Sequence, residues 1–229
     1  MTAPGQGESL MQLLERRRAL EARSQQTPAL TARWRALRTW QAARLARTYA
    51  ALRQDPRFAA AVEFFLNDLY GPQDFARRDR ELARALSPLQ RALPAGLRAV
   101  LAKAIELDVL TAELDQDMVA RLPEGRVTET SYATAYRAVG RPAARQRQID
   151  LTVGIGADLE RLVRRRWIGL ALRAAHVPAR AAGLAVLHSF LERGFSAFRR
   201  MGSAEPLLRA IREQETRFRD ALLRSELHA

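Results

Sequence analysis

Apolar residues along this chain return at intervals of three and four, and nowhere does a period of two compete with them. The pattern predicts an all-α protein, a globular multi-helix bundle of about eight helices without a strand. Its centre is residues 56 to 86. There Phe58, Val62, Phe65, Leu66 and Leu69 fall at i, i+4, i+7, i+8 and i+11 on one helical face, and Phe64 and Tyr70 widen that face with aromatic surface. Gly71 stands where a left-handed residue would close the helix and Pro72 where the next would open, so a tight helical corner is expected between residues 64 and 79.

The rest of the chain follows the same logic. Ser9 is a candidate N-cap for a helix to residue 23, with Leu10, Leu13, Leu14 and Leu20 on one side and Arg16, Arg17, Arg18 and Arg23 on the other. Thr27-Pro28 introduces a second helix, expected to run unbroken to about Arg53 with Trp34, Leu37, Leu45 and Tyr49 inward. A helix from Ala95 to Leu122 carries Leu97, Leu101, Leu114 and Met118 and ends at Pro123-Glu124-Gly125. Thr128 or Thr130 caps a short helix with Tyr132 and Tyr136 on one face, which Gly140-Arg141-Pro142 terminates. Between residues 143 and 175 a kink or break is expected at Gly154-Ile155-Gly156, because each mid-helix glycine costs about 1 kcal/mol relative to alanine. Beyond it Leu159, Val163, Trp167, Leu170 and Ala174 are expected to face the core. Pro178 is expected to open one helix in which Leu184, Leu187, Leu191, Phe195 and Phe198 repeat at spacings of three and four, and a last helix places Leu207, Leu208, Ile211, Phe218 and Leu222 inward.

The segment Phe64-Phe65-Leu66-Asn67-Asp68-Leu69-Tyr70-Gly71, continued by Pro72-Gln73-Asp74-Phe75, resembles the signature of the bacterial FFLEELY-motif proteins. Gln148-Ile149-Asp150-Leu151 and the stretch from Pro178 to Phe195 are similar to the same family, so the resemblance extends over most of the chain. Asn67 replaces one acidic position of the motif and the shorter Asp68 another. The resemblance implies no catalytic residue and no particular activity.

Composition narrows the picture further. With 229 residues and 48% hydrophobic content, the chain can bury a sizeable core, and a flexible start over residues 1–8 followed by a single helical domain over 9–229 is expected. There is no cysteine, so disulfides and thiolate metal sites are excluded. The polar start lacks a signal-type apolar core, and no stretch reads as a transmembrane segment, which points to a cytoplasmic protein. A formal charge of +13 would ordinarily indicate a polyanionic partner. Lys103 is the only lysine, however, and the other 37 basic residues are arginine, a skew that GC-rich coding alone can produce.

Candidate chemistry is sparse. Val153-Gly154-Ile155-Gly156-Ala157 lacks the preceding strand and the third glycine of a dinucleotide loop, and reads as a helix kink. The Glu-x-x-His spacing of di-iron bundles does not occur. His188 and Glu192, at i and i+4, could supply half a metal site but read as an exposed pair or as an acid with an arginine partner, while His176 reads as a helix-end residue and His228 as part of the tail. No metal site, catalytic residue or cofactor is therefore assigned. Two polar groups are candidates for a site: Tyr70, Asp74, Arg78 and Asp79 around the corner, and Arg145 with Gln148 in the second family-like segment. Arg161, Arg164, Arg165 and Arg166 form a candidate basic patch, although Trp167 fits the inward stripe too well to stack on a base. The resulting expectation is a non-catalytic interaction protein with a protein partner, self-association remaining open. A nucleic-acid-binding protein is the first alternative. A helical enzyme with a small-molecule pocket lined by Tyr70, Tyr136 and Glu192 is the second.

Overall fold

The computed structural model describes residues 10–69, 81, 84–85 and 94–224. The expected flexible start, the Ser9 cap, the Gly71 corner and the helix after it lie outside these residues. All regular structure among the described residues is helical, and none of their helices is long and apolar enough to cross a membrane. The helices are α1 (Leu10–Ser24), α2 (Pro28–Thr48), α3 (Ala50–Gln54), α4 (Ala59–Glu63), a π-helical turn (Phe64–Leu69), α5 (Ala95–Arg121), α6 (Glu129–Val139), α7 (Pro142–Val163), α8 (Arg166–Ala174), α9 (His176–Ala181), α10 (Ala185–Met201) and α11 (Glu205–Arg224). They form two compact units: a first of residues up to Trp40, Leu101–Thr152 and from Arg212 on, and a second of Gln41–Val100 and Val153–Ile211.

In the first unit the apolar stripes of α2, α5, α6 and α11 meet around Leu37, Met118, Tyr132, Tyr136 and Leu222. α5 turns Ile105, Val109, Ala112 and Met118 inward at helical spacing and ends where Arg33 caps it, donating from Nη2 to the carbonyls of Val119 and Leu122 at 2.5 Å each. Those carbonyls belong to the last turn and just beyond it, where no further N–H is available within the helix. Of the two candidate caps, Thr128 is the one used: its hydroxyl accepts from the Ser131 N–H while Ser131 Oγ accepts from the Thr128 N–H. Gly140 closes α6 with φ 62° and its N–H on the Tyr136 carbonyl, before Pro142 opens α7. On α1, Arg17 donates to Asp108 at 2.7 Å and Arg16 pairs with Glu113.

The second unit is centred on Leu45, Tyr49, Phe58, Val62, Leu66, Met201, Leu207, Leu208 and Ile211. Here the structure departs from the sequence expectations. The helix expected from Pro28 to Arg53 divides at the buried Tyr49, with φ −104° and ψ 18°. Of the kink or break expected at Gly154–Gly156, the break does not occur, and α7 runs through it to Val163. Gly156 is buried against α11, where a Cβ would lie 2.3 Å from Leu208 Cδ2, so the missing side chain permits the approach of the two helices. The chain breaks instead at Arg165, among exposed residues where water can satisfy the freed backbone groups. A buried break at Gly156 would have left those groups without partners. The helix expected to run on from Pro178 divides too, at the exposed Gly183 with φ 70°.

Candidate functional site

The residues singled out from sequence separate into three places. Tyr70, Asp74, Arg78 and Asp79 lie outside the described residues. Arg145 and Gln148 are both on α7 in the first unit, and each is absorbed in packing. Gln148 donates to Thr111 Oγ1 at 2.8 Å. Arg145 is buried, its guanidinium 4.4 Å from the centre of the Tyr136 ring, and its Nε and Nη2 have no hydrogen-bond partner among the described residues. A cation over a desolvated aromatic face is stabilised by the ring quadrupole, which offsets part of the cost of those unmade bonds. Tyr136, proposed from sequence to line a pocket with Glu192, belongs to the first unit and Glu192 to the second.

Burial pushes the Tyr136 phenol up to about 12 from its ordinary 10.0, the Arg145 charge opposing that rise. The folded state therefore keeps a proton that the unfolded chain begins to lose near pH 10. Stability contributed by this group is complete below pH 10 and is lost as the pH climbs through about 12. Tyr136→Phe should accordingly flatten the alkaline fall in unfolding free energy by up to about 2–3 kcal/mol. Urea midpoints at pH 9 and pH 12 check it, and parallel losses in both proteins would refute it.

The third place is α8 to α10 in the second unit, and it inverts the expectation for this stretch. Trp167, Leu170, Ala171 and Ala174 repeat at i, i+3, i+4 and i+7 and are all exposed, with Trp167 at 45% and Leu170 at 58%. Val177 on α9 is 72% exposed and Leu191 on α10 45%, and the inward assignments of Trp167, Leu170 and Ala174 are corrected. The face of α8 that packs inward is the other one, Ile168 and Gly169. Gly169 allows this, because a Cβ there would lie 3.0 Å from Phe195 Cζ on α10. α8 is thus apolar on both sides, whereas a surface helix ordinarily turns a polar face outward.

Charge surrounds this exposed stripe. Between residues 164 and 200 Glu192 is the sole acidic residue, against eight arginines. Of the candidate basic patch, Arg161 pairs with Asp158, and Arg164 donates to Glu160 at 2.5 Å. Arg165 and Arg166 are exposed at the start of α8. Arg166 and Arg173, two turns apart, flank the apolar stripe on one side. Arg173 and Arg199, with Gly169, Leu172, Glu192, Phe195 and Ser196, line an open cleft of about 280 Å³.

Polar side chains, buried and exposed, hold the neighbouring turn. Glu81, to which sequence reasoning assigned no role, is 1% exposed and accepts from the Leu187 N–H at 2.8 Å in the first turn of α10, where the helix dipole favours a carboxylate. Arg84 donates to the Gly183 carbonyl at 3.2 Å. His188, expected in an exposed pair, is 6% exposed, and its Nε2 lies 2.9 Å from the Leu172 carbonyl, linking α10 to α8. His176 opens α9 and points its ring toward His188 edge-on, centroids 5.3 Å apart. The i, i+4 spacing of His188 and Glu192 was visible in sequence. The arrival of His176 beside them depends on the turn between α9 and α10.

An all-helical protein with an outward apolar, arginine-flanked helix face is the class that fold and site define. The chain belongs to the family described as a domain of unknown function (DUF8198), whose model matches residues 20–229. No curated protein and no solved structure matches it.

Proposed function

We propose that the protein is a non-catalytic, cytoplasmic binding protein of the FFLEELY-motif type, and that α8 receives an acidic amphipathic segment of another protein. The observation that carries this reading is the outward row Trp167, Leu170, Ala171 and Ala174. Helix-in-groove and helix-on-helix recognition use anchors at that spacing. Tryptophan is among the residue types enriched at interface hot spots. Arg166 and Arg173 beside the row, and Arg199 in the adjoining cleft, complement carboxylates on such a segment and would speed its encounter.

A displayed library of amphipathic segments selected on the wild-type protein tests the proposal. Acidic sequences should be enriched. Leu170→Ser should then weaken their binding by about 2 kcal/mol or more, roughly thirtyfold, with the thermal midpoint unchanged because the side chain is exposed. Equal binding by Leu170→Ser, or enrichment of basic segments, would remove the reading.

The exposure of Trp167 also favours a second reading, since it lifts the objection that this ring is committed to the core. Single-stranded nucleic acid could stack on Trp167 while Arg165 and Arg166 meet its phosphates. In that case affinity falls steeply with salt, and Arg165→Ala with Arg166→Ala makes that dependence shallower, by about 0.7 in slope for every phosphate no longer neutralised. The neighbouring Leu170 and Val177 are better suited to an apolar partner surface, which places the protein segment first.

A further inference from the structure

We propose that His176, His188 and Glu192 form a site for a divalent transition-metal ion, zinc by ligand type, that ties α9 to α10. Among the described residues these are the side chains that bring three ligating atoms within 4.8 Å of one another. Glu192 Oε2 lies 3.5 Å from His188 Nδ1 and 3.7 Å from His176 Nδ1.

The hydrogen bonding of His188 determines what faces the carboxylate. A carbonyl can only accept, so the contact with Leu172 places the proton on Nε2, which donates. In the neutral ring Nδ1 then presents a lone pair toward Glu192, itself an acceptor. Two acceptors in direct contact repel unless a cation or a donor lies between them, and a water donating to both would hold them about 4.5 Å apart. A shared proton would draw the pair to about 2.7–2.9 Å. A zinc ion bound tetrahedrally at 2.0–2.1 Å instead separates its nitrogen and oxygen ligands by about 3.3–3.4 Å. The spacings of 3.5 and 3.7 Å lie close to the second value and well beyond the first.

The surroundings agree with this assignment. Metal-binding histidines characteristically donate their remaining N–H to a carbonyl or carboxylate, which sets the ring's tautomer and orientation, and Leu172 occupies that position. Two imidazoles and a carboxylate are the donor set of an open zinc site, with a fourth position for water. The half-exposed His176 leaves a solvent side for it. Glu192 keeps this alignment although Arg173 and Arg199 line the same cleft. Its ligands are not part of the outward row Trp167, Leu170, Ala171 and Ala174, although Glu192 borders the cleft beside that row.

The test uses the full chain, stripped with chelator and titrated with zinc against a chromophoric chelator. About one zinc per chain is expected. His176→Gln and Glu192→Gln should each weaken binding by at least about a hundredfold, since loss of an outer partner alone costs 10- to 100-fold. Both side chains are partly exposed, so the variants should fold, as far-ultraviolet circular dichroism would show. His228→Ala, which removes a histidine that the proposed site does not use, should bind as wild type. Cobalt loading should give d–d absorption bands that Glu192→Gln abolishes. The proposal is overturned if the wild type takes up no zinc, if both ligand variants bind as tightly as it does, or if His228→Ala loses the site.

Discussion

Phe64→Ala is expected to destabilise the protein by about 3–5 kcal/mol, through lost burial and the cavity that remains. The ring is 7% exposed and lies 5.2 Å from that of Phe190 on α10. Its edge occupies the space left by Gly194, where a Cβ would sit 2.8 Å from Phe64 Cζ. An aromatic ring enclosed in this way has no flexible end with which to fill a gap. Phe65→Ala should cost less, because Phe65 is only half-buried and meets Tyr49 edge-on at 6.4 Å. Gly194→Val attacks the same packing from the other helix. Its damage should fall when Phe64 is already alanine, a non-additivity expected of residues that touch. Urea unfolding of the four variants decides the matter, and a greater loss for Phe65→Ala than for Phe64→Ala would contradict the packing described.

Tyr132→Ala should cost a similar amount in the first unit, about 3–5 kcal/mol. Tyr132 stacks on Trp40 with centroids 3.9 Å apart and planes 22° from parallel, and it also meets Tyr136 at 6.0 Å and Phe218 at 6.2 Å. Aromatic pairs add about 0.5–1.5 kcal/mol each beyond the area they bury. Tyr132→Leu retains much of the apolar volume, so the difference between the two variants reports the ring stacking itself. A loss below about 1 kcal/mol for the alanine variant would mean that this aromatic group contributes little.

Helix positions in the first unit were largely legible, since their signals are local. Pro28 at the head of α2 and the Gly140 closure follow from backbone chemistry within one turn, whereas the choice of Thr128 over Thr130 as cap was left open and is made by its exchange with Ser131. The same local rules misplaced the break in α7, because a glycine's propensity cost is outweighed when its missing Cβ admits a neighbouring helix. They also chose Phe65 over Phe64. Ideal 3.6-residue periodicity does not anticipate a π-helical turn, whose i to i+5 hydrogen bonds rotate the side chains that follow.

The candidate site was less legible than the fold. The periodicity of α8 identifies Trp167, Leu170 and Ala174 as one face but carries no sign for inward or outward, and here the opposite face was buried through Gly169 and Phe195. His188 and Glu192 lay within reach of sequence reasoning, while His176 and Glu81 did not, because their partners stand 12 to 106 positions away.

By itself the sequence determined an all-helical chain, the inward faces of α1, α2 and α11, the Gly140 closure and an arginine-rich charge, all consequences of interactions within a few residues. Tertiary structure alone decided which glycines are approach points and which are breaks. It also decided which apolar face of α8 meets water and which distant histidine joins Glu192. Each of these depends on what another helix places opposite, and periodicity within one segment contains no record of its neighbour.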